Sequence, residues 1–118
     1  MMPTLPVHRA QNICLSPAQI QTVCQILRNV LTESLASHGG GQDLQAWVFG
    51  SRATGHARPY SDLDILISQP RPLDWRARAD LADAFEASSL PFRVDVVEES
   101  CLAPGIAPRV LAERRPLI

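Results

Sequence analysis

Apolar residues recur at Ile20, Val23, Cys24, Leu27, Val30, Leu31 and Leu35. Steps of three and four bring them to one face of a helix. Ser16-Pro17 marks its start, with Ser as N-cap and Pro in the first helical position, and His38-Gly39-Gly40-Gly41 marks its end. Residues 1–15, with Pro3 and Pro6, read as an irregular N-terminal arm. The pattern then changes period. Leu44 to Phe49 is short and apolar and reads as a buried strand. Arg52 to Pro59 is a polar loop with room for one helical turn. Asp62 to Ile67 alternates polar and apolar positions and reads as a second strand. After the break at Gln69-Pro70-Arg71-Pro72, a helix fits Asp74 to Ser88, with Ala77, Leu81, Ala84 and Phe85 on its inner face. Leu90-Pro91 resets the chain, and Phe92 to Glu98 reads as a third strand. Pro104 and Pro108 limit the remainder to a short helix over 106–114, and Pro116-Leu117-Ile118 suits a small edge strand. The order α-β-β-α-β-α predicts an α/β fold, a small mixed sheet packed by helices, formed by residues 16–118 as one domain.

Composition narrows the function. The chain has 118 residues, 46% hydrophobic and 19% charged, with a net charge of −1. That balance argues against a protein that coats long nucleic acid, which needs a basic excess. Every basic residue is Arg, so neither a lysine Schiff base nor a P-loop lysine is available. Cys14, Cys24 and Cys101 form no CxxC pair and read as reduced packing cysteines of a cytoplasmic protein. The N-terminus lacks the charged and apolar regions of a signal peptide. No apolar run approaches the ~20 residues of a membrane span.

The candidate chemistry lies between Gly50 and Asp64. Residues i and i+2 of a strand share a face, about 6.6 Å apart along the chain, so Asp62 and Asp64 converge while Leu63, Ile65 and Ile67 turn to the core. On a helix the two carboxylates would diverge. Adjacent carboxylates repel unless a cation sits between them, and oxygen-only ligands suit a hard cation such as Mg²⁺. Asp95, between Val94 and Val96, is the candidate third carboxylate, because an acid in a β-branched run is costly without a purpose. Arg93 shares its face and is the simplest salt-bridge partner. Gly50-Ser51 stands where the first strand ends. Gly lets backbone approach a phosphate, Ser adds a hydroxyl, and a helical turn there aims N–H groups at an anion.

Gly50-Ser51, ten residues, then Asp62-x-Asp64 resembles the signature of the DNA polymerase β-like nucleotidyltransferase superfamily. Gly50-Ser51-Arg52-Ala53-Thr54-Gly55, Arg58-Pro59 and Ser61-Asp62-Leu63-Asp64 are similar to its minimal (MNT) branch, and Leu90 to Val97 looks like that branch's third-carboxylate strand. The resemblance implies the nucleotidyltransferase fold, ATP as donor and two Mg²⁺ ions held by Asp62, Asp64 and Asp95. Gly50 and Ser51, with Arg52 and Arg58, would contact the nucleotide. The implied reaction moves AMP onto a hydroxyl, with pyrophosphate leaving. Members of the branch are often antitoxins that modify a tyrosine of a HEPN-type toxin, so a HEPN protein is the implied partner.

Arg52 and Arg58 divide evenly between phosphate contact and simple solvation. His56 suits a turn, and Tyr60 packs the loop or stacks on a base. Trp47 and Trp75 suit core or interface positions. Two other functions stay open: a contact antitoxin with a vestigial site, and a transferase acting on a small-molecule hydroxyl. A domain this short leaves little chain to recognise an acceptor, so the acceptor is expected to bring its own docking surface.

Overall fold

The computed structural model describes residues 13–36, 44–69 and 72–118, without the side chains of 32–36. The expectations for the arm up to residue 12, the stripe residue Leu35, the glycine stop at 38–41 and Pro70-Arg71 lie outside the described residues. Helix α1 runs Pro17–Ala36. Its start is a reciprocal cap: the Ser16 hydroxyl accepts from the Gln19 amide at 3.1 Å, and the Gln19 side chain accepts from the Ser16 amide at 3.0 Å. Two otherwise orphaned donors are satisfied together. Val23, Cys24, Leu27 and Leu31 of the predicted stripe are buried.

Strand β1 (Gln45–Phe49) leads into a one-turn helix, α2 (Ser51–Thr54), and then to β2 (Leu63–Ser68). Helix α3 (Trp75–Glu86) begins at the Asp74 carboxylate, which accepts from the Ala77 amide at 2.8 Å. Strand β3 (Val94–Glu98), a 3₁₀ turn (Glu99–Cys101), helix α4 (Ala107–Glu113) and strand β4 (Arg115–Pro116) complete the chain. The expected order holds. The first three strands start one or two residues later than the apolar pattern alone suggested, the edge strand starts one residue earlier, and Asp62 lies just ahead of β2.

The sheet order is β3-β2-β1-β4. β1 is antiparallel to both β2 and β4, whereas β2 and β3 are parallel. A parallel pair needs a crossover, and α3 supplies it. Ala46, Val48, Leu63, Ile65 and Ile67 face a core shared with α1 and with Ala77, Leu81 and Phe85 of α3. On the opposite face Leu66 is fully buried. There the Arg114 guanidinium stacks on Trp47, 4.1 Å from the ring centroid, and meets Glu99 at 3.4 Å, tying the C-terminal segment to β1. Trp47 is therefore a half-buried anchor. Trp75 is 75% exposed and no part of the core, because it stands on the face of α3 opposite the buried Ala77, Leu81 and Phe85; Ala84 is only half-buried. Among the described residues no helix is long and apolar enough to cross a membrane.

Glu98 is a buried acid that periodicity did not single out. It is 8% exposed, accepts from the Leu73 amide at 2.7 Å and pairs with Arg78 at 2.6 Å. The end of β3 thereby holds the entry and first turns of α3. Ile65, wholly buried in the central strand, should dominate stability. Ile65→Ala is expected to cost about 3 kcal/mol, whereas Trp75→Ala should stay within about 0.5 kcal/mol, both read by urea unfolding.

Candidate active site

The C-terminal end of β1 and the N-terminal ends of β2 and β3 meet at one edge of the sheet. Phe49 lies across from Asp64 in the β1–β2 pairing, and Asp64 lies across from Asp95 in the β2–β3 pairing. The register thus brings together two aspartates 31 positions apart in the sequence. Asp62, one residue before β2, is exposed beside them. Gly50 closes the other side. Its backbone, at φ 74° and ψ −152°, lies in a region that is essentially glycine-only, and a Cβ there would stand 2.6 Å from the Asp64 Oδ2. The glycine is required twice, by its conformation and by the carboxylate packed against it.

Three comparisons bear on this geometry. A family model described as "Nucleotidyltransferase domain" matches residues 26–117. The chain belongs to the nucleotidyltransferase domain family. A solved structure described as a minimal nucleotidyltransferase is 36% identical, with a TM-score of 0.52, over 82% of this chain and 94% of that one. A crystal structure of a toxin–antitoxin with AMP-PNP is 25% identical, with a TM-score of 0.64, over 84% of this chain and 72% of that one. A protein of Haemophilus influenzae named "Probable protein adenylyltransferase MntA" is 50% identical over 56 residues, 48% of this chain. The chain's match spans about half the length of that curated relative, 49%.

Within this nucleotidyltransferase domain the effect of the clustered carboxylates is felt at Asp64. Partial burial pushes the Asp64 carboxyl above its ordinary range, and the charges of Asp95 and Asp62 push it the same way. An oxygen-only donor set gathered around the raised Asp64 carboxyl suits a hard divalent cation. The cage is nevertheless not closed: among the described residues no three His, Cys, Asp or Glu side chains are grouped so that they could hold one ion. The Asp95 carboxylate is engaged by Arg93 at 3.3 Å, and that pair is exposed, 75% and 41%. The donor chemistry fits Mg²⁺, and ligation requires Asp62 and Asp95 to turn toward Asp64.

Arg52 departs from expectation. Rather than facing a phosphate, it is 4% exposed beneath the loop. Its Nε and Nη2 donate to the Ser61 carbonyl at 3.1 and 2.8 Å, Nη1 to the Cys14 carbonyl at 2.6 Å, and Nη2 also to Pro59 at 3.2 Å and Arg58 at 3.4 Å. The guanidinium lies over the Phe92 ring, 4.0 Å from its centroid. Burial pulls its pKa down, with the Cys14 thiol acting the opposite way; an arginine stays charged regardless. Its donors are spent on backbone, so its role is to shape the loop. A planar five-donor fork beside a loop rich in orphan carbonyls was the available signal. Arg58 and Tyr60 are exposed on the loop, Tyr60 at 76%. His56 is a turn residue, its Nδ1 3.1 Å from the Thr54 hydroxyl.

Two outcomes are expected. Arg52→Ala should destabilise the domain by about 3 kcal/mol in urea unfolding, because several carbonyls lose a charged donor; Arg52→Lys should recover only a minor part, since one ammonium cannot span the same acceptors. The second concerns pH. A carboxyl raised in the folded state binds its proton more tightly there, so ionising it weakens the fold as pH rises above the ordinary aspartate range. In metal-free buffer Asp64→Asn should therefore raise the neutral-pH Tm by about 2–4 °C, and the gain should vanish on acidification below that range.

Proposed function

We propose that the chain is a Mg²⁺-dependent nucleotidyltransferase that moves AMP from ATP onto a tyrosine hydroxyl of a HEPN-type toxin, acting as its antitoxin in the cytoplasm. The observation that carries this reading is Asp64 set between Gly50 and Asp95, a bare backbone on one side and a second carboxylate on the other. Family membership supports nucleotidyl transfer. The Haemophilus relative's name supports a protein acceptor, and the toxin–antitoxin structure with AMP-PNP supports both an adenine nucleotide and a toxin partner.

Asp62, Asp64 and Asp95 would hold two Mg²⁺ ions, which when bound neutralise the triphosphate and the departing pyrophosphate. Gly50 admits the β- and γ-phosphates close to the backbone, and Ser51 offers its hydroxyl. Arg58 supplies positive charge from the exposed loop. Asp95, at the edge of the sheet, accepts the proton of the attacking hydroxyl. The hydroxyl oxygen bonds to the α-phosphorus, the bond from that phosphorus to the bridging oxygen breaks, and pyrophosphate takes the electron pair. Little covalent chemistry falls to the protein, so positioning and charge supply the acceleration.

The test incubates the chain with labelled ATP, Mg²⁺ and the product of the neighbouring gene. Label should appear on a partner tyrosine, and Asp62→Asn with Asp64→Asn should lower transfer by at least about 10²-fold. Undiminished neutralisation of the toxin by that double variant would instead show that contact alone suffices.

A further inference from the structure

We propose that an extended segment of the protein acceptor adds to the outer edge of β3 as a further strand, and that the residue it sets beside Asp95 bears the hydroxyl to be modified. This deepens the transfer reading above and rests on it.

Strand β3 ends the sheet, and no described strand pairs with its outer side. The pairing shows which backbone groups are free. The Leu63 amide donates to the Arg93 carbonyl at 2.8 Å, so in a parallel ladder Arg93, Asp95 and Val97 address β2, and the amides and carbonyls of Val94 and Val96 point away from it. Natural edges are usually blunted by Pro, charge or extreme shortness. The opposite edge is: β4 has two residues, one of them Pro116. β3, Val-Asp-Val-Val-Glu, carries two acids, the second buried against Arg78, but no Pro, so the outward amides and carbonyls of Val94 and Val96 are all present.

A groove of about 230 Å³ runs beside this edge, lined by Leu73, Leu81, Phe85, Val94 and Val96. Arg78 and Glu98 line it at the far end of β3, and Asp95 lines it near the candidate active site. Backbone donors and acceptors beside an apolar trough match strand addition, in which the main chain supplies affinity and alternate side chains supply specificity. The occupant's chemistry follows from the period of two. A residue paired with Asp95 turns its side chain to the face that carries Asp64 and Asp95. Its two neighbours turn to the groove. The segment is therefore a hydroxyl residue flanked by apolar ones, in extended conformation, and continuity between groove and carboxylates delivers that hydroxyl to Asp95.

The test uses the whole chain with the product of the neighbouring gene. Amide exchange by NMR should show Val94 and Val96 exchanging readily in the chain alone and at least about 10-fold more slowly in the complex. Val96→Pro removes an outward donor and leaves the β2 ladder intact. It should keep ATP binding in the presence of Mg²⁺ and a near-normal Tm while transfer to the partner falls at least about 10-fold. Should Val96→Pro not fold, Ala82→Trp, which fills the groove from an exposed position on α3, should give the same loss. Unchanged transfer by a folded variant, or unchanged exchange in the complex, overturns the proposal. Protection of these amides without any label transfer upholds the docking mode and overturns the transfer reading.

Discussion

The architecture around the carboxylates depends on one buried cation. The Arg52 guanidinium is held beneath the loop by carbonyls from two separate stretches of chain, residue 14 and residues 58–61, and rests on Phe92 ahead of β3. Gly50, Asp62 and the approach to Asp95 are each within a few residues of those contacts. A loop of this composition cannot bury an apolar core of its own, and its carbonyls need donors. One planar fork satisfies them from the inside, so the outer surface of the loop is left to the exposed Arg58 and Tyr60. Positive charge is spent on architecture here, and the carboxylates above it are not neutralised by it.

Sheet topology does the second part. Antiparallel β1–β2 sets Gly50 against Asp64, and parallel β2–β3 sets Asp64 against Asp95. The first follows from the one-turn helix α2 and the loop that return the chain from β1 to β2; the second follows from the crossover through α3, whose entry Glu98 grips through Leu73 and Arg78. The same arrangement leaves β3 at the end of the sheet, so Asp95 lies beside backbone that no described strand pairs. Burial of Asp64, and then the nearness of Asp95 and Asp62, has a cost, seen in the raised Asp64 carboxyl. The rest of the domain has to offset it.

Much of this was legible before folding. The three-and-four steps of α1 and the alternation through Asp64-Ile65-Leu66-Ile67 report burial directly, since hydrophobic periodicity is a local consequence of element geometry. The period of two placed Asp64 opposite the core face of its strand, but Asp62, one residue ahead of β2, falls outside the element that would have fixed its direction. Strand starts were less legible: hydrogen bonding to a neighbour, not side-chain type, decides where pairing begins. Trp75 misled because its bulk suits a core, whereas it stands on the face of α3 opposite Ala77, Leu81 and Phe85.

The sequence by itself determined the element order, the buried faces, the family and the residue types of the candidate site, because each is encoded in spacing along the chain. Only the tertiary structure decided that Arg52 serves the loop, that Glu98 anchors α3, that Asp95 stands in register with Asp64, and that β3 is an open edge. Those facts depend on partners distant in sequence, through hydrogen-bond directions and strand pairings that no local pattern carries.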